Sequence, residues 1–303
     1  MTQKTRIKKL FTPIDFVFIG WFILAFILIA IAPNPVEYNY LLLLYHILII
    51  ACMISFFLYC RNRLKYSRLL LLFRFAYPPF FFTLQFEEIY LTNRIFFKDL
   101  LDPWFISLEE KIFGLQPSMV LWHKMPWDWF SEFMHFAYFM FYPLFAFVVI
   151  EPFIKKRYSL FAKIVFIITF SFSLCYTIYM ILPVAGPRIA IPESNNIPHN
   201  GFIFAAIMRY IYSKAAIVGA AFPSSHCAMA VVNMLIVHKY IKWAKVLITI
   251  ITIALIFSTF YLRYHYVIDS IAGVIFGVFC FYFSEWLLRK LRKKNFLWIT
   301  DII

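Results

Sequence analysis

The chain has 303 residues, of which 63% are hydrophobic, 22% aromatic and only 15% charged. This composition is far too apolar for a soluble domain and is typical of a polytopic membrane protein. The formal net charge of +14 does not indicate a nucleic-acid-binding protein. Its basic residues fall in short clusters between apolar runs, as they do in membrane proteins that keep Lys and Arg on the cytoplasmic side.

Apolar runs long enough to span a bilayer, which takes about 20 helical residues, follow one another along the chain. Six of them are clear, at 14–32, 40–60, 129–150, 161–183, 246–262 and 266–288. A seventh run lies at 223–238, and an eighth at 69–91 is interrupted by Arg74, a Pro-Pro pair and two glutamates. Counting all eight, we predict an all-α, polytopic membrane helical bundle.

The basic clusters predict how the bundle is oriented. With eight crossings, both termini are cytoplasmic and five clusters lie on the cytoplasmic side, at 4–9, 61–68, 155–157, 239–245 and 289–294. Without a crossing at 69–91, the last three clusters would lie on the opposite side. The first run exceeds a signal-peptide core and is followed by Pro33, so we expect an uncleaved helix. Heavy use of Phe, Ile and Lys favours an AT-rich bacterial genome, and we expect a bacterial inner membrane.

No repeat, linker or low-complexity tract divides the chain. We predict a two-helix membrane segment at 1–68, followed by a catalytic membrane core at 69–303. Within this core, residues 92–128 mix charged residues with prolines and tryptophans, as interfacial helices do. We expect them to form a lid on the membrane surface. A second polar loop, at 183–222, lies on the same face in this topology.

Two short motifs, each at a boundary between a polar segment and an apolar run, carry the chemistry. In Arg-Tyr-His-Tyr-Val-Ile-Asp at 263–269, His265 and Asp269 are four residues apart. On a helix they share a face, where the carboxylate can orient the imidazole. In Pro-Ser-Ser-His at 223–226, the proline opens a helix whose free N–H groups and dipole favour an anion such as phosphate.

Six side chains converge on the extracytoplasmic face in the eight-crossing topology. They are Arg188, Ser225, His226, Arg263, His265 and Asp269. Arg188 and Arg263 can each hold phosphate oxygens through two hydrogen bonds, and Ser225 can add a neutral donor. The two histidines have the chemistry of a nucleophile and an acid. No carboxylate cluster with magnesium spacing and no His/Cys zinc signature occurs, so we expect a reaction without a metal or other cofactor.

Each of these residues also has a structural interpretation when it is taken singly. Arg263 can anchor the chain among interfacial tyrosines, and Ser225 can cap a helix. His265 and Asp269 can satisfy each other at a helix end. The coincidence of all six on one face nevertheless favours catalysis.

Other histidines are assigned no catalytic role. His46 and His238 lie in mid-helix or on the cytoplasmic side in this topology. For His135, which lies near Glu132, and for His199, a contribution to substrate binding stays open, but a structural or interfacial role is favoured.

The two motifs resemble the second and third motifs of the type 2 phosphatidic acid phosphatase superfamily. The superfamily's second motif is Pro-Ser-Gly-His, and here Ser225 replaces the glycine. Its third motif carries an arginine six residues before the histidine, where this chain has Thr259. Arg263 instead stands two residues before His265. The His-Tyr-x-x-Asp run at 265–269 is similar to the sphingolipid synthase branch of inositol phosphorylceramide and sphingomyelin synthases.

Two further segments are similar to the inositolphosphotransferase-like bacterial members of the superfamily. They are Asp-Pro-Trp to Phe-Gly at 102–114 and Ala-Gly-Pro-Arg at 185–188. The superfamily's first motif, Lys-x6-Arg-Pro, is incomplete, because Arg188 follows a proline and Ile181 stands in place of the lysine. Either another basic residue such as Lys214 substitutes for that lysine, or the site uses two arginines only.

The resemblance implies a six-helix catalytic core and a phosphohistidine mechanism. His265 would attack phosphorus while Asp269 holds its other nitrogen, and His226 would protonate the leaving alcohol. The pentacoordinate transition state would be stabilised by Arg188, Ser225 and Arg263. The intermediate would then react with water or with a lipid hydroxyl.

Three functions are therefore weighed. The favoured one is a lipid phosphotransferase of the inositol phosphorylceramide synthase type, with a phospholipid donor and a lipid alcohol acceptor. The alternative is a lipid phosphate phosphatase acting on phosphatidic acid, an isoprenyl diphosphate or lipid A. A remote alternative is a non-catalytic lipid transporter, which should show midplane charges and inverted repeats with broken helices. A water-excluding lid at 92–128 would favour transfer over hydrolysis.

Overall fold

A computed structural model describes residues 10–60, 68–195, 201–215, 217–294, 296 and 298. Within these ranges every regular element is helical, and the one β-bridge joins Val184 to Ala220. The predicted all-α class is therefore confirmed. The predicted basic cluster at 4–9 and residues 61–67 of the cluster at 61–68 lie outside the described residues, as does His199.

Fourteen α-helices are found in the described part of the chain. In chain order they are α1 (Pro13–Ala30), α2 (Asn39–Cys60), α3 (Arg68–Thr92), α4 (Asp102–Phe113), α5 (Pro117–Lys124), α6 (Asp128–Phe139), α7 (Phe141–Ile154), α8 (Tyr158–Ile181), α9 (Pro187–Ala190), α10 (Pro192–Asn195), α11 (Ile203–Ala215), α12 (Ser225–Tyr240), α13 (Lys245–Tyr261) and α14 (Val267–Leu291).

Six helical stretches are long and apolar enough to cross a membrane. They are α1, α2, α6 with α7, α8, α13 with the short turn before it, and α14. The stretches coincide with the six clear apolar runs of the sequence, and the chain is an integral membrane protein. The two remaining runs are also helical, as the 25-residue α3 and the 16-residue α12. The full count of eight crossings stays a prediction.

Two of the polar residues that interrupt the α3 run, Arg74 and Glu88, pair with the two N-terminal helices. Arg74, which is 1% exposed, donates to both carboxylate oxygens of Asp15 in α1. The Tyr77 hydroxyl donates to the same carboxylate at 2.9 Å. Near the other end of α3, Glu88 lies 3.0 Å from His46 of α2. These side chains therefore join helices to one another, because buried charges persist only with partners.

Helix α12 packs closely against α14 in the centre of the bundle. Gly273 of α14 makes this approach possible, since a Cβ there would lie 2.5 Å from the Ser224 carbonyl oxygen. Gly277, one turn later, likewise faces Ala228. Small residues four apart let two membrane helices approach backbone to backbone. The beginning of α12 is thus fixed beside the beginning of α14, where the two sequence motifs meet.

Candidate active site

The third motif folds as a tight turn between α13 and α14. Arg263 adopts a left-handed backbone conformation with φ of 64°, which is uncommon for a residue other than glycine. The N–H groups of Tyr264 and His265 both donate to the Thr259 carbonyl, at 3.0 and 3.2 Å. This reversal presents His265, two residues before α14 begins, to the interior of the protein.

A backbone carbonyl orients the His265 ring. Its Nδ1 lies 3.0 Å from the Ala221 carbonyl oxygen. Because a carbonyl oxygen only accepts, Nδ1 carries the hydrogen and Nε2 keeps its lone pair. Burial lowers the pKa of His265 to about 4, against the opposing effect of the Ala221 carbonyl. The imidazole is then neutral near pH 7, which is the form that a nucleophile requires.

Asp269 lies behind His265 but does not hydrogen-bond to it. The Asp269 Oδ2 atom is 3.7 Å from His265 Nδ1 and accepts the Tyr266 N–H at 3.0 Å. The predicted helical i, i+4 geometry does not apply, because α14 begins only at Val267. Asp269 sits in the first turn of that helix, where a carboxylate caps the N-terminus. The imidazole donates its hydrogen bond to the Ala221 carbonyl, and Asp269 remains within ion-pair distance of the ring.

His226, in the first turn of α12, faces His265. The two ring centroids are 6.0 Å apart. Tyr138 stacks on the His226 ring at 4.6 Å, and Phe141 lies 4.4 Å from it. The Tyr138 hydroxyl also lies 3.3 Å from His226 Nδ1. His226 is thus held by aromatic side chains, whereas His265 is held by backbone.

Ser225 begins α12 beside the two histidines. Its N–H donates to the Tyr179 hydroxyl at 3.0 Å, while the Cys227 N–H donates to the Ser224 side chain at 3.3 Å. Two N–H groups of this first turn are therefore engaged within the protein. The predicted anion site at the helix N-terminus has fewer backbone donors than the motif suggested.

The two arginines lie together behind the tyrosines of the site. The Arg188 N–H donates to the Arg263 carbonyl at 2.9 Å, which joins their backbones. The Arg188 guanidinium stacks on Tyr212 at 4.2 Å and lies 5.2 Å from the ring of Tyr264. Arg263 is fully buried, with its guanidinium 4.5 Å from the Trp122 ring. Burial, together with the Arg188 charge, lowers the pKa of Arg263 to about 10, so it stays charged at pH 7.

A cavity of about 310 Å³ joins the histidines to an aromatic channel. Ser225, His226 and His265 line it, whereas Arg188, Arg263 and Asp269 do not. The rest of its wall is mostly apolar or aromatic and includes Phe82, Phe86, Tyr138, Phe141, Tyr142, Phe172, Tyr176, Met208, Tyr212 and Tyr264. Thr83 of α3 and Tyr142 of α7 line the cavity and are also exposed. Exposed residues of α3 and α7 thus form part of the cavity wall.

Asp102 belongs to the site although the sequence motifs did not identify it. It is buried at the start of α4 and accepts the Ala185 and Gly186 N–H groups at 2.8 and 2.9 Å. It also accepts the Tyr266 hydroxyl at 2.9 Å. Burial raises the pKa of Asp102 above its ordinary value, although these hydrogen bonds oppose the shift. One carboxylate thus ties the loop that carries Arg188 to the turn that carries His265.

Glu109 repeats this arrangement two turns along α4. The Glu109 carboxylate accepts the Val267 and Ile268 N–H groups, at 2.6 and 3.2 Å, and so caps α14 from outside. Burial raises the pKa of Glu109 to about 7. The segment predicted as a lid therefore contains a helix bonded to the site through buried carboxylates. Asp102 and Glu109 are seven residues apart, which places both carboxylates on one face of a helix. This spacing is the sequence feature from which their shared role could have been predicted.

The remaining candidates have structural roles or lie away from the cavity. Glu132 accepts the N–H groups at the start of α11, from Phe202 and Phe204, both at 2.6 Å. His135 is buried, with Nδ1 2.7 Å from the Ser131 carbonyl. Lys214 is exposed in the last turn of α11 and does not line the cavity.

Comparisons with known proteins agree with the two motifs. A family model described as the PAP2 superfamily matches residues 104–283, which is more than half of the chain. A PA-phosphatase related-family protein of Dictyostelium discoideum is 31% identical over 131 residues, which are 42% of this chain and 24% of that protein. The chain therefore spans about a quarter of the length of this relative. No solved structure matches.

Proposed function

Because the chain belongs to the PAP2 superfamily, which implies phosphatase or phosphotransferase activity, we propose that it transfers a phosphorylated headgroup between lipids through a phosphohistidine. The observation that carries the proposal is the pair of imidazoles, His265 and His226, facing each other at 6.0 Å across the aromatic cavity. A phosphoryl group between them would meet a lone pair on one side and a proton donor on the other.

In the first step, the Nε2 lone pair of His265 attacks phosphorus, and the bond between phosphorus and the leaving oxygen breaks. That oxygen takes a proton from His226. The Ala221 carbonyl, 3.0 Å from Nδ1, stabilises the positive charge that develops on the His265 ring. Ser225 and the two arginines would stabilise the phosphoryl oxygens. This role requires the Arg188 and Arg263 side chains to move from their aromatic stacks toward the cavity.

In the second step, His226 accepts the proton of an incoming hydroxyl as its oxygen attacks phosphorus. The P–N bond to His265 breaks, and both histidines return to their starting forms. An acceptor that is a lipid alcohol gives transfer, whereas water gives hydrolysis. The aromatic walls around the histidines favour transfer, because a reactive intermediate survives longer where water is excluded.

The shape of the cavity supports a membrane lipid as the substrate. Phe82, Phe86 and Phe172 lie on helices of the bundle and provide an apolar surface for an acyl chain. The exposed cavity residues Thr83 and Tyr142 would allow such a chain to reach the histidines from the bilayer. We further propose that the site faces away from the cytoplasm and that both termini are cytoplasmic, as the basic clusters indicate.

A lipid phosphate phosphatase is the second candidate. It is favoured by the name of the Dictyostelium relative, which is a PA-phosphatase related-family protein. The resemblance of the His-Tyr-x-x-Asp run at 265–269 to the sphingolipid synthase branch favours the transferase. Both candidates use the first step described above and differ only in the acceptor.

Mass spectrometry of lipids distinguishes the two. The purified protein, in nanodiscs, is incubated with phosphatidylinositol, phosphatidylethanolamine or phosphatidic acid, with and without ceramide or diacylglycerol. A new phospholipid formed only when the acceptor is present, together with diacylglycerol release, is the expected result. Free phosphate or a soluble phosphorylated headgroup formed equally without acceptor would make the protein a hydrolase. Unchanged lipids in every mixture would contradict the proposed function.

A further inference from the structure

A second cavity, of about 950 Å³, lies between α2 and α3. Except for Val218, the residues that line it precede the family match. The loop before α2 is held to the residues after α3, because Asn34 donates through its N–H to the Ile95 carbonyl at 3.0 Å and through its side chain to the Phe96 carbonyl at 3.3 Å. The cavity therefore lies near one end of both helices, and α2 is long and apolar enough to cross a membrane.

Glu88 is the buried carboxylate of this second cavity. It lines the wall, is 5% exposed and has Oε1 3.0 Å from His46 Nε2. The His46 Nδ1 donates to the Leu42 carbonyl at 2.7 Å, so one proton between Nε2 and Oε1 joins the two side chains. Among the described residues, the Glu88 Oε2 atom has no hydrogen-bond partner. A buried oxygen without a donor is unfavourable, and a ligand with N–H groups would supply one.

The other polar residues of the second cavity fit an ammonium group. Glu37 and Glu87 add two exposed carboxylates, against one cation, Arg94. Three tyrosines also form part of the wall, Tyr38, Tyr45 and Tyr90. Carboxylates and aromatic rings both attract organic ammonium ions. In the part of the chain that the structure describes, no three His, Cys, Asp or Glu side chains are placed to share a metal ion, so an organic cation fits this cavity better.

Leucines on the same wall indicate that the ligand is an amphiphile. Leu41, Leu84 and Leu91 line the second cavity and are each between 46% and 51% exposed. In a membrane protein, exposed leucines of this kind are as apolar as the acyl chains around them. We propose that the cavity binds a zwitterionic phospholipid such as phosphatidylethanolamine, with its ammonium group at Glu87 and Glu88 and its phosphate at Arg94.

This lipid site is separate from the histidine cavity. Helix α3 lies between the two, since it lines the histidine cavity with Phe82 and Phe86 and the second cavity with Glu87 and Glu88. The inference therefore goes beyond the proposed function and does not depend on any reaction at the histidines.

A purely structural role for Glu88 is the competing explanation, since Glu88 joins α3 to α2 through His46. The Glu88→Gln variant separates the two roles. Its amide can donate to the His46 Nε2 lone pair and so preserve the link between the helices, but it lacks the charge that attracts an ammonium group. The matched control is Glu193→Gln, which makes the same exchange at an exposed carboxylate outside the cavity. A structural role predicts that neither variant changes the preference for one lipid over another.

The first test measures lipid binding by native mass spectrometry of the delipidated full chain. All proteins carry His265→Ala, so that no lipid is consumed. The probes are phosphatidylethanolamine and its N-acetylated derivative, which lacks the ammonium charge. We expect phosphatidylethanolamine to bind about 10-fold more tightly than the derivative, and Glu88→Gln to abolish this preference. Glu87→Gln should weaken it less, and Glu193→Gln should leave it unchanged. Equal affinities for the two lipids, or a preference that survives Glu88→Gln, would overturn the inference.

The second test locates the lipid in the wild-type protein and needs no substitution. A phosphatidylethanolamine analogue with a diazirine at the start of one acyl chain is photo-crosslinked in nanodiscs, and the labelled peptides are identified by mass spectrometry. We expect labels at 37–45 and 84–94, and we expect free phosphoethanolamine at the same concentration not to displace them. Labels only on peptides of the histidine cavity would overturn the inference. Displacement by free phosphoethanolamine would contradict a lipid as the ligand. Absence of lipid turnover would count against the proposed function only, since the labelling needs no reaction.

Discussion

The two histidines of the site are held by different parts of the molecule. His265 is oriented by the Ala221 carbonyl, and the turn around it is tied down by two carboxylates of α4. His226 is enclosed by the side chains of Tyr138 and Phe141. A nucleophile must keep one lone pair in one direction, and backbone contacts provide this rigidity. The group that gives and takes back a proton is surrounded by side chains instead, and substitution can remove these one at a time.

The largest effect is expected from His265→Ala. Removal of the nucleophile should lower kcat by about 10⁴-fold or more, with a melting temperature close to that of the wild type. Lipid mass spectrometry measures product formation, and thermal unfolding monitors the fold. Normal product formation by this variant would show that His265 is not the nucleophile.

Asp102→Ala should disturb the surroundings of His265 while leaving the aromatic side chains around His226 in place. It leaves the buried N–H groups of Ala185 and Gly186 without their acceptor, which costs about 1–3 kcal/mol for each unsatisfied buried group. We therefore expect a lower melting temperature and a lower kcat. The control is Asp99→Ala, which changes an exposed aspartate just before α4. Equal effects of the two substitutions would contradict the proposed tie between α4 and the site.

Glu109→Gln tests the second carboxylate through pH. The pKa of Glu109 rises from 4.5 in the unfolded chain to about 7 in the folded protein. The folded state therefore binds the proton more tightly, and this contribution to stability is lost as pH rises from about 4.5 to about 7.

Measured as melting temperature against pH, this loss should be weaker in Glu109→Gln than in the wild type. The exposed neighbour supplies the control variant, Glu110→Gln, which should follow the wild type. A wild-type slope that persists in Glu109→Gln would assign the titration to another group.

The smallest effect is expected from Lys214→Gln. Lys214 is exposed and does not line the cavity, so kcat and KM should stay within about 2-fold of the wild type, as for ordinary surface substitutions. This result would favour a site that binds the phosphoryl group with Arg188 and Arg263 and without a lysine. A much larger KM would instead assign to Lys214 the role of the lysine missing from the first motif.

The sequence predicted the all-helical class and the six clear membrane runs, because apolar length is a strong signal. It also predicted that residues far apart in the chain, such as Arg188 and Arg263, lie together. The role of Asp269 was harder to foresee, because the pattern does not tell whether α14 begins before or after His265. Asp102, Glu109 and Tyr138 were assigned no role because their partners are backbone groups or rings that only tertiary packing brings near.

The central claim, a covalent intermediate on His265, can be tested by intact-protein and peptide mass spectrometry after an alkaline quench, which preserves phosphohistidine. The protein in nanodiscs is mixed with the donor lipid alone, so that no acceptor alcohol consumes the intermediate. We predict a phosphoryl or phosphorylated-headgroup adduct on the peptide that contains His265, and none in His265→Ala. An adduct on another residue, or turnover by a wild-type protein that never carries one, would contradict the account.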